Sequence, residues 1–280
     1  SGGSAGAGIV CALEFSPDGR LLAAGGVDKQ IRLYNLSSFF GDLEDDDELG
    51  LLTDAADGAV VQRMPSKVSC ISWSPFMDGV MTVGDYDGVL LQLHIASGHQ
   101  LSDVDAHGGR KIWSVAHSSR RPHLAASAAD DRTARLWAGR GLAACVATLQ
   151  PNPRASVCCV DFSPEHDHML ALACSDRVSY LYDLRRLAGG PLAALRHHSR
   201  PASYCRFLGG DRLVTAATDA SLALWDLRNA VPQLPARVFR GHRNEKNFVG
   251  LSVRWPDGLV ACGSECSRAF AYHTSWSDPL

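Results

Sequence analysis

The chain has 280 residues, 46 % hydrophobic and 20 % charged, with a formal net charge of −3. This is the composition of a folded globular protein, and its slight acidic excess gives no general basic field for nucleic acid. No run approaches the roughly 18 consecutive apolar residues of a membrane span. The chain opens on Ser1-Gly2-Gly3-Ser4, with no initiator Met, basic start or apolar run. The reading is a flexible segment over 1–8, no secretory signal, a fragment of a longer sequence, and a single domain over 9–280. The first strand-like run, Val10-Cys11-Ala12-Leu13, passes through the turn signal Ser16-Pro17-Asp18-Gly19 to Gly25-Gly26-Val27-Asp28 and the aromatic Tyr34.

The same order of parts returns along the chain. Gly84-Asp85-Tyr86-Asp87 leads to Leu93, Ala129-Asp130-Asp131 to Trp137, and Cys174-Ser175-Asp176 to Tyr182. Ala217-Thr218-Asp219 leads to Trp225, and Gly263-Ser264-Glu265-Cys266 to Tyr272. In the first five units an Asp stands six positions before the anchor; in the sixth that place is Cys266. The anchors recur every 43 to 47 residues after a first gap of 59. That long gap holds Gly41-Asp42-Leu43-Glu44-Asp45-Asp46-Asp47-Glu48, so a solvated acidic loop is expected over 41–58 between the first and second units. Short alternating runs such as Val68-Ser69-Cys70-Ile71-Ser72-Trp73, with no amphipathic helix between them, predict an all-β protein.

The period resembles that of WD repeats, about 40–45 residues, and the resemblance implies a WD40 β-propeller of four-stranded blades packed face to face. Six repeats are visible. Seven blades are the commoner closed form, so a seven-bladed propeller with its last blade missing from this chain is expected; six-bladed closure is the alternative.

The nine cysteines show no metal-ligand spacing. The adjacent pair Cys158-Cys159 points to opposite faces of its strand, which suits neither a bridge nor a shared metal. The expected state is reduced thiols, mostly buried as small hydrophobes, in a protein of the nucleus and cytoplasm. Two His/Ser/Asp sets invite comparison with a hydrolase: His107, Ser127, Asp131 with Trp137, and His198, Thr215, Asp219 with Trp225. A hydrogen-bonded chain tying each blade's loop to its inner strands is the structural alternative, and it accounts for their recurrence in register with the repeat. The sequence carries no phosphate-binding Gly loop and no nucleophile elbow, so neither an enzyme nor a cofactor is expected.

The run Phe239-Arg240-Gly241-His242-Arg243-Asn244-Glu245-Lys246-Asn247-Phe248-Val249-Gly250-Leu251 resembles the sixth-blade signature of the constitutively photomorphogenic E3 ubiquitin ligase and its relatives. Ser66-Lys67-Val68-Ser69-Cys70-Ile71-Ser72-Trp73, Gly84-Asp85-Tyr86-Asp87-Gly88 and Val157-Cys158-Cys159-Val160 agree with it. Three branches share this signature: the ligase, the suppressor-of-phytochrome-A proteins, and the repressor-of-UV-B-photomorphogenesis proteins. Asp105-Ala106-His107-Gly108-Gly109-Arg110-Lys111-Ile112-Trp113-Ser114-Val115 looks most like the repressor branch, in which Gly-Gly precedes two basic residues and the Trp.

The resemblance implies a non-enzymatic module that binds an extended Val-Pro peptide flanked by acidic residues. Carried over residue by residue, the peptide site comprises Lys67, Tyr86, Lys111, Trp113, Arg200, Glu245 and Phe248. The three aromatic residues would wall the Val-Pro pair and the cations would meet the acidic flanks. Lys111 stands where the ligase has Arg, and Arg200 where it has Lys; the alternative is a core Trp113 with a solvated basic rim. The implied partners are the UV-B photoreceptor and other Val-Pro proteins, with no nucleic acid or membrane, and the implied role is repression of UV-B signalling by displacing the ligase. Tyr182-Asp183-Leu184-Arg185 and Trp225-Asp226-Leu227-Arg228 resemble the box that docks propellers onto the DNA-damage-binding adaptor of cullin-four ligases. Through Arg185 and Arg228 the chain would act instead as a substrate receptor; local pairing of each Arg with its Asp is the alternative.

Overall fold

A computed structural model describes residues 9–36, 59–228, 234–255 and 257–280. The expected flexible start at 1–8 and the expected acidic loop at 41–58 lie outside the described residues. Among the described residues, short β-strands join into six antiparallel sheets, and in each sheet the strands pair in chain order. Blade 1 runs from Val10–Phe15 through Leu21–Gly26 and Gln30–Asn35 to Ala59–Arg63. The innermost strands of blades 2 to 5 are Val68–Trp73, Ile112–His117, Val157–Phe162 and Ala202–Gly209. Blade 6 has three strands among the described residues, Leu251–Arg254, Leu259–Gly263 and Ala269–His273. Among the described residues no helix is long and apolar enough to cross a membrane.

The repeated Asp has a local cause. It opens the turn between the second and third strands of its blade, where its carboxylate accepts the N–H two residues on. Asp131 takes Thr133 N at 2.9 Å, Asp176 takes Val178 N at 3.2 Å and Asp219 takes Ser221 N at 3.1 Å. The residue after each of these Asp adopts positive φ (Arg132, Arg177, Ala220), so side-chain capping holds a left-handed turn that most residues disfavour. Blade 2 uses Asp85 instead, whose Oδ1 receives both Asp87 N and Val89 N.

The core lies between blades, in layers. Ile31 and Leu33 of blade 1 pack with Val68, Ile71 and Trp73 of blade 2, and comparable layers join each later pair of neighbours. Gly84 shows how closely the sheets approach: a Cβ there would stand 2.6 Å from Cys70 Sγ and 2.8 Å from Ile112 Cγ2. Six cysteines are buried, Cys11 is half-buried and Cys145 and Cys266 are exposed; all nine are free thiols. Val10, Leu13 and Phe15 break the pattern. They occupy the places that Val68, Ile71 and Trp73 fill in blade 2, yet are 55 %, 60 % and 60 % exposed rather than buried.

Two His-centred chains cross-link the blades internally. His107 shares hydrogen bonds with Asp131 at 2.8 Å and Ser127 at 2.7 Å, and Trp137 Nε1 donates to Ser127 Oγ at 2.9 Å. His198 shares them with Asp219 at 3.3 Å and Thr215 at 2.9 Å, and Trp225 Nε1 donates to Thr215 Oγ1 at 3.0 Å. The Ser127 and Thr215 hydroxyls sit in residues that are 0 % exposed. Burial pushes the Asp131 carboxyl up, but hydrogen bonds from His107 and Thr133 outweigh it and hold the group below its ordinary value.

Candidate peptide-binding face

Antiparallel pairing puts the start of each innermost strand beside the end of the second strand, at one rim of the propeller. Val68 faces Asp85 across the ladder, so Lys67 and Tyr86 are neighbours, and Tyr86 N donates to Lys67 O at 3.0 Å. Lys111 and Trp113 straddle the start of the blade 3 strand in the same way. Arg200 precedes the blade 5 strand, and Glu245 and Phe248 precede that of blade 6. All seven candidate residues therefore reach one rim, from four blades.

They form two groups. Trp113 and Phe248 face each other with ring centroids 4.9 Å apart, tilted by 44°. They line a cavity of about 500 Å³ together with Arg200, Glu245 and Lys246, over a floor that includes Cys158, Ser156, Ser175 and Thr218. Lys67, Tyr86 and Lys111 form the second group and do not line this cavity. The Lys111 ammonium lies between two rings, 3.5 Å from the Trp113 centroid and 4.0 Å from that of Tyr86. Burial lowers its basicity, opposed by Cys11 and Asp130. The structure thus gives a two-walled aromatic slot backed by a cation–π stack, where the sequence predicts three aromatic walls.

Two acidic residues that sequence reasoning passed over shape these walls. Asp130 Oδ1 accepts Trp113 Nε1 at 2.6 Å and fixes the plane of the indole. Glu265 Oε1 accepts Lys246 N at 2.7 Å, Asn247 N at 2.8 Å and Asn247 Nδ2 at 3.2 Å. These bonds fasten the irregular segment that carries Phe248 and hold the Glu265 carboxyl below its ordinary value. Arg200 adds a further tie, its Nη1 donating to the Glu245 carbonyl at 3.1 Å.

The family described as "WD domain, G-beta repeat" matches residues 3–35, 98–138 and 143–183. WD repeat-containing protein RUP1 of Arabidopsis thaliana is 37 % identical over 282 residues, covering 100 % of this chain and 70 % of the relative. RUP2 of the same plant is 36 % identical, covering 97 % and 75 %. The chain belongs to the RUP family.

This RUP-family propeller is also 34 % identical to the E3 ubiquitin-protein ligase COP1 of Pisum sativum, where the match covers 98 % of the chain but 38 % of the ligase. The computationally designed Ika8 protein shares the fold, with a TM-score of 0.66 at 19 % identity, covering 94 % of this chain and 70 % of that one. At the opposite rim of the RUP-family propeller, Arg185 and Arg228 are exposed. Each guanidinium folds back onto its own blade: Arg185 Nη2 reaches Asp183 at 2.7 Å and Arg228 Nη2 reaches Asp226 at 2.5 Å. Both arginines therefore already have a partner, two residues back in the chain.

Proposed function

We propose that this RUP-family propeller is a non-enzymatic binding module that takes a Val-Pro peptide with acidic flanks on the rim bearing Trp113 and Phe248. The observation that carries the reading is the aromatic slot itself, two facing rings over a cavity of about 500 Å³ with Arg200 and Lys246 at its edge. A proline arrives already extended, and flat apolar walls suit it. In the cell the module competes with the ligase for the UV-B photoreceptor and so represses photomorphogenic signalling in nucleus and cytoplasm; partners that share a site exclude one another by mass action. Calorimetric titration with the photoreceptor's C-terminal Val-Pro peptide tests this, with an Ala-Ala peptide as control. Equal affinity for the two peptides sinks the proposal.

A second reading, substrate delivery to a cullin-four ligase, rests on Arg185 and Arg228, two exposed arginines in matching positions of consecutive blades. Pull-down with the adaptor decides it, since equal recovery of wild type and the double Arg→Ala variant removes the claim. A seventh blade over Val10, Leu13 and Phe15 completes the proposal, supported by the exposure of an apolar triad whose counterparts in blade 2 are buried. In a chain extended by such a blade, Leu13→Ala is expected to cost about 2–5 kcal/mol, as at other core positions. A cost near zero in the extended chain excludes the packing.

A further inference from the structure

A pair of thiols lies in the layer between blades 4 and 5. Cys159, on the inner strand of blade 4, and Cys205, on that of blade 5, are both 0 % exposed and share one apolar cluster with Leu181, Leu213 and Trp225. Cys159 Sγ lies 3.5 Å from the Cys205 carbonyl oxygen, and Cys205 Sγ lies 3.9 Å from that of Cys159. The two side chains also hydrogen bond to each other. A cation completes the group. Arg206 Nη1 donates to Cys159 Sγ at 3.1 Å and to Cys205 O at 3.1 Å.

The ordinary role of such an arginine is to balance a carboxylate, here Asp161. Asp161 Oδ1, however, is 3.9 Å from Nη1, farther away than the sulfur, and Oδ2 accepts Phe207 N at 2.8 Å. Burial pushes the Asp161 carboxyl up to about 7 against the pull of Arg206, which leaves it a weak anion at neutral pH. Burial pushes the Cys159 thiol up too, but hydrogen bonds from Cys205 and the charge of Arg206 outweigh it and bring the group below its ordinary value. Burial and the neighbouring sulfur raise Cys205. Among the described residues no other cysteine has a cation within hydrogen-bond distance. Arg206 and Asp161 are half-buried and line a central cavity of about 820 Å³ together with Ser114, whose Oγ is 3.7 Å from Cys159 Sγ. The sulfur therefore lies one side chain behind the cavity wall, and rotation of Arg206 or Ser114 opens it to a small oxidant.

We propose that Cys159 and Cys205 are a peroxide-sensitive dithiol that closes to a reversible disulfide stapling blade 4 to blade 5. The Cys159 thiolate attacks one oxygen of hydrogen peroxide; the O–O bond breaks, hydroxide leaves, and a sulfenic acid remains on Cys159. The Cys205 sulfur then attacks the Cys159 sulfur. Its proton goes to the departing hydroxide, so the products are one water and the disulfide. The two sulfurs together give up two electrons, and the peroxide takes them. Arg206 stabilises the attacking thiolate. A bond of this kind in a reducing compartment is typically transient and serves redox sensing.

The test uses the full chain with Cys145→Ser and Cys266→Ser, which removes the two exposed thiols. Folded protein is treated with hydrogen peroxide, quenched in acid, unfolded, alkylated and mapped by peptide mass spectrometry. A linked Cys159–Cys205 peptide pair is expected, with Cys174 and Cys262, buried thiols without a cation beside them, still alkylated. In Cys205→Ser the reaction should stop at a Cys159 sulfenic acid, which dimedone traps. Arg206→Met, checked for folding by thermal melt, should slow loss of the Cys159 thiol by about tenfold or more. If that variant does not fold, the pH dependence of the rate in the otherwise unaltered chain takes its place. A half-maximal rate at a pH below the ordinary thiol value of about 8.5 supports the thiolate, and one at or above it overturns the proposal. Cys159 and Cys205 alkylated as fully as Cys174, a link that forms only in urea, or a folded Arg206→Met chain reacting at the original rate would each overturn it as well.

Discussion

The ring of Trp113, from blade 3, and that of Phe248, from the approach to blade 6, stand 4.9 Å apart across a cavity. Neither belongs to a layer between blades, and both are partly exposed. Trp113→Ala or Phe248→Ala should therefore cost about 2 kcal/mol or more in peptide binding, in the range of interface hot spots, with little change in melting temperature. Titration calorimetry paired with thermal melts checks both halves. An unchanged dissociation constant in a folded Trp113→Ala protein would mean the slot binds nothing of this kind.

Glu265 fastens the Phe248 segment from outside the cavity, so its loss should act on binding without touching the ligand. Glu265→Ala is expected to speed hydrogen exchange at the Lys246 and Asn247 amides, which lose their acceptor, and to weaken the peptide by raising its dissociation rate. Exchange at those amides equal to wild type would show that the carboxylate holds nothing in place.

The two His chains should behave as fold elements. His198→Ala leaves the buried Thr215 hydroxyl without its imidazole partner, though the hydroxyl keeps Trp225 Nε1 as a donor. A loss of about 1–3 kcal/mol in unfolding free energy follows from an unmet buried polar group. Urea denaturation measures it, and peptide affinity of the folded fraction should stay near wild type. A variant as stable as wild type would refute the structural role.

Acid should unfold the protein partly through the same chains. Burial raises the Asp219 carboxyl, but hydrogen bonds from His198, Ser221 and Ser199 prevail and hold it well below its ordinary value. A carboxyl depressed in the folded state stabilises fully above its unfolded pKa, about 3.9. That contribution is lost as pH falls below about 4 toward the lower folded value, because the unfolded chain takes up the proton first. Stability measured against pH should therefore fall more steeply there in wild type than in Asp219→Asn. Parallel curves would exclude the linkage.

Much of the fold was readable from residue order, because strand alternation and the Asp of each inner turn are local signals. Asp131 and Asp219 cap turns within a few residues of themselves, so a single sequence suffices to find them. The cation–π stack was not readable. Whether Lys111 points at a ligand or lies between Tyr86 and Trp113 depends on the spacing of two blades, which no short window records. Glu265 escaped for a related reason, since it bonds a segment nearly twenty positions earlier. One clue was present: the sixth unit alone lacks the turn Asp, with Cys266 in its place and a Glu immediately before it. The full extent of the outward-facing triad Val10, Leu13 and Phe15 likewise needed coordinates, because its residues follow the same pattern as their buried counterparts.

Each wall of the slot hangs from a different blade, and the His chains and capped turns fasten blades from within. Substituting one wall leaves the remaining walls and the layers between sheets untouched, so duplicated genes can diverge in clientele one blade at a time while inheriting the same skeleton. The selectivity of such a protein is free to drift faster than its architecture.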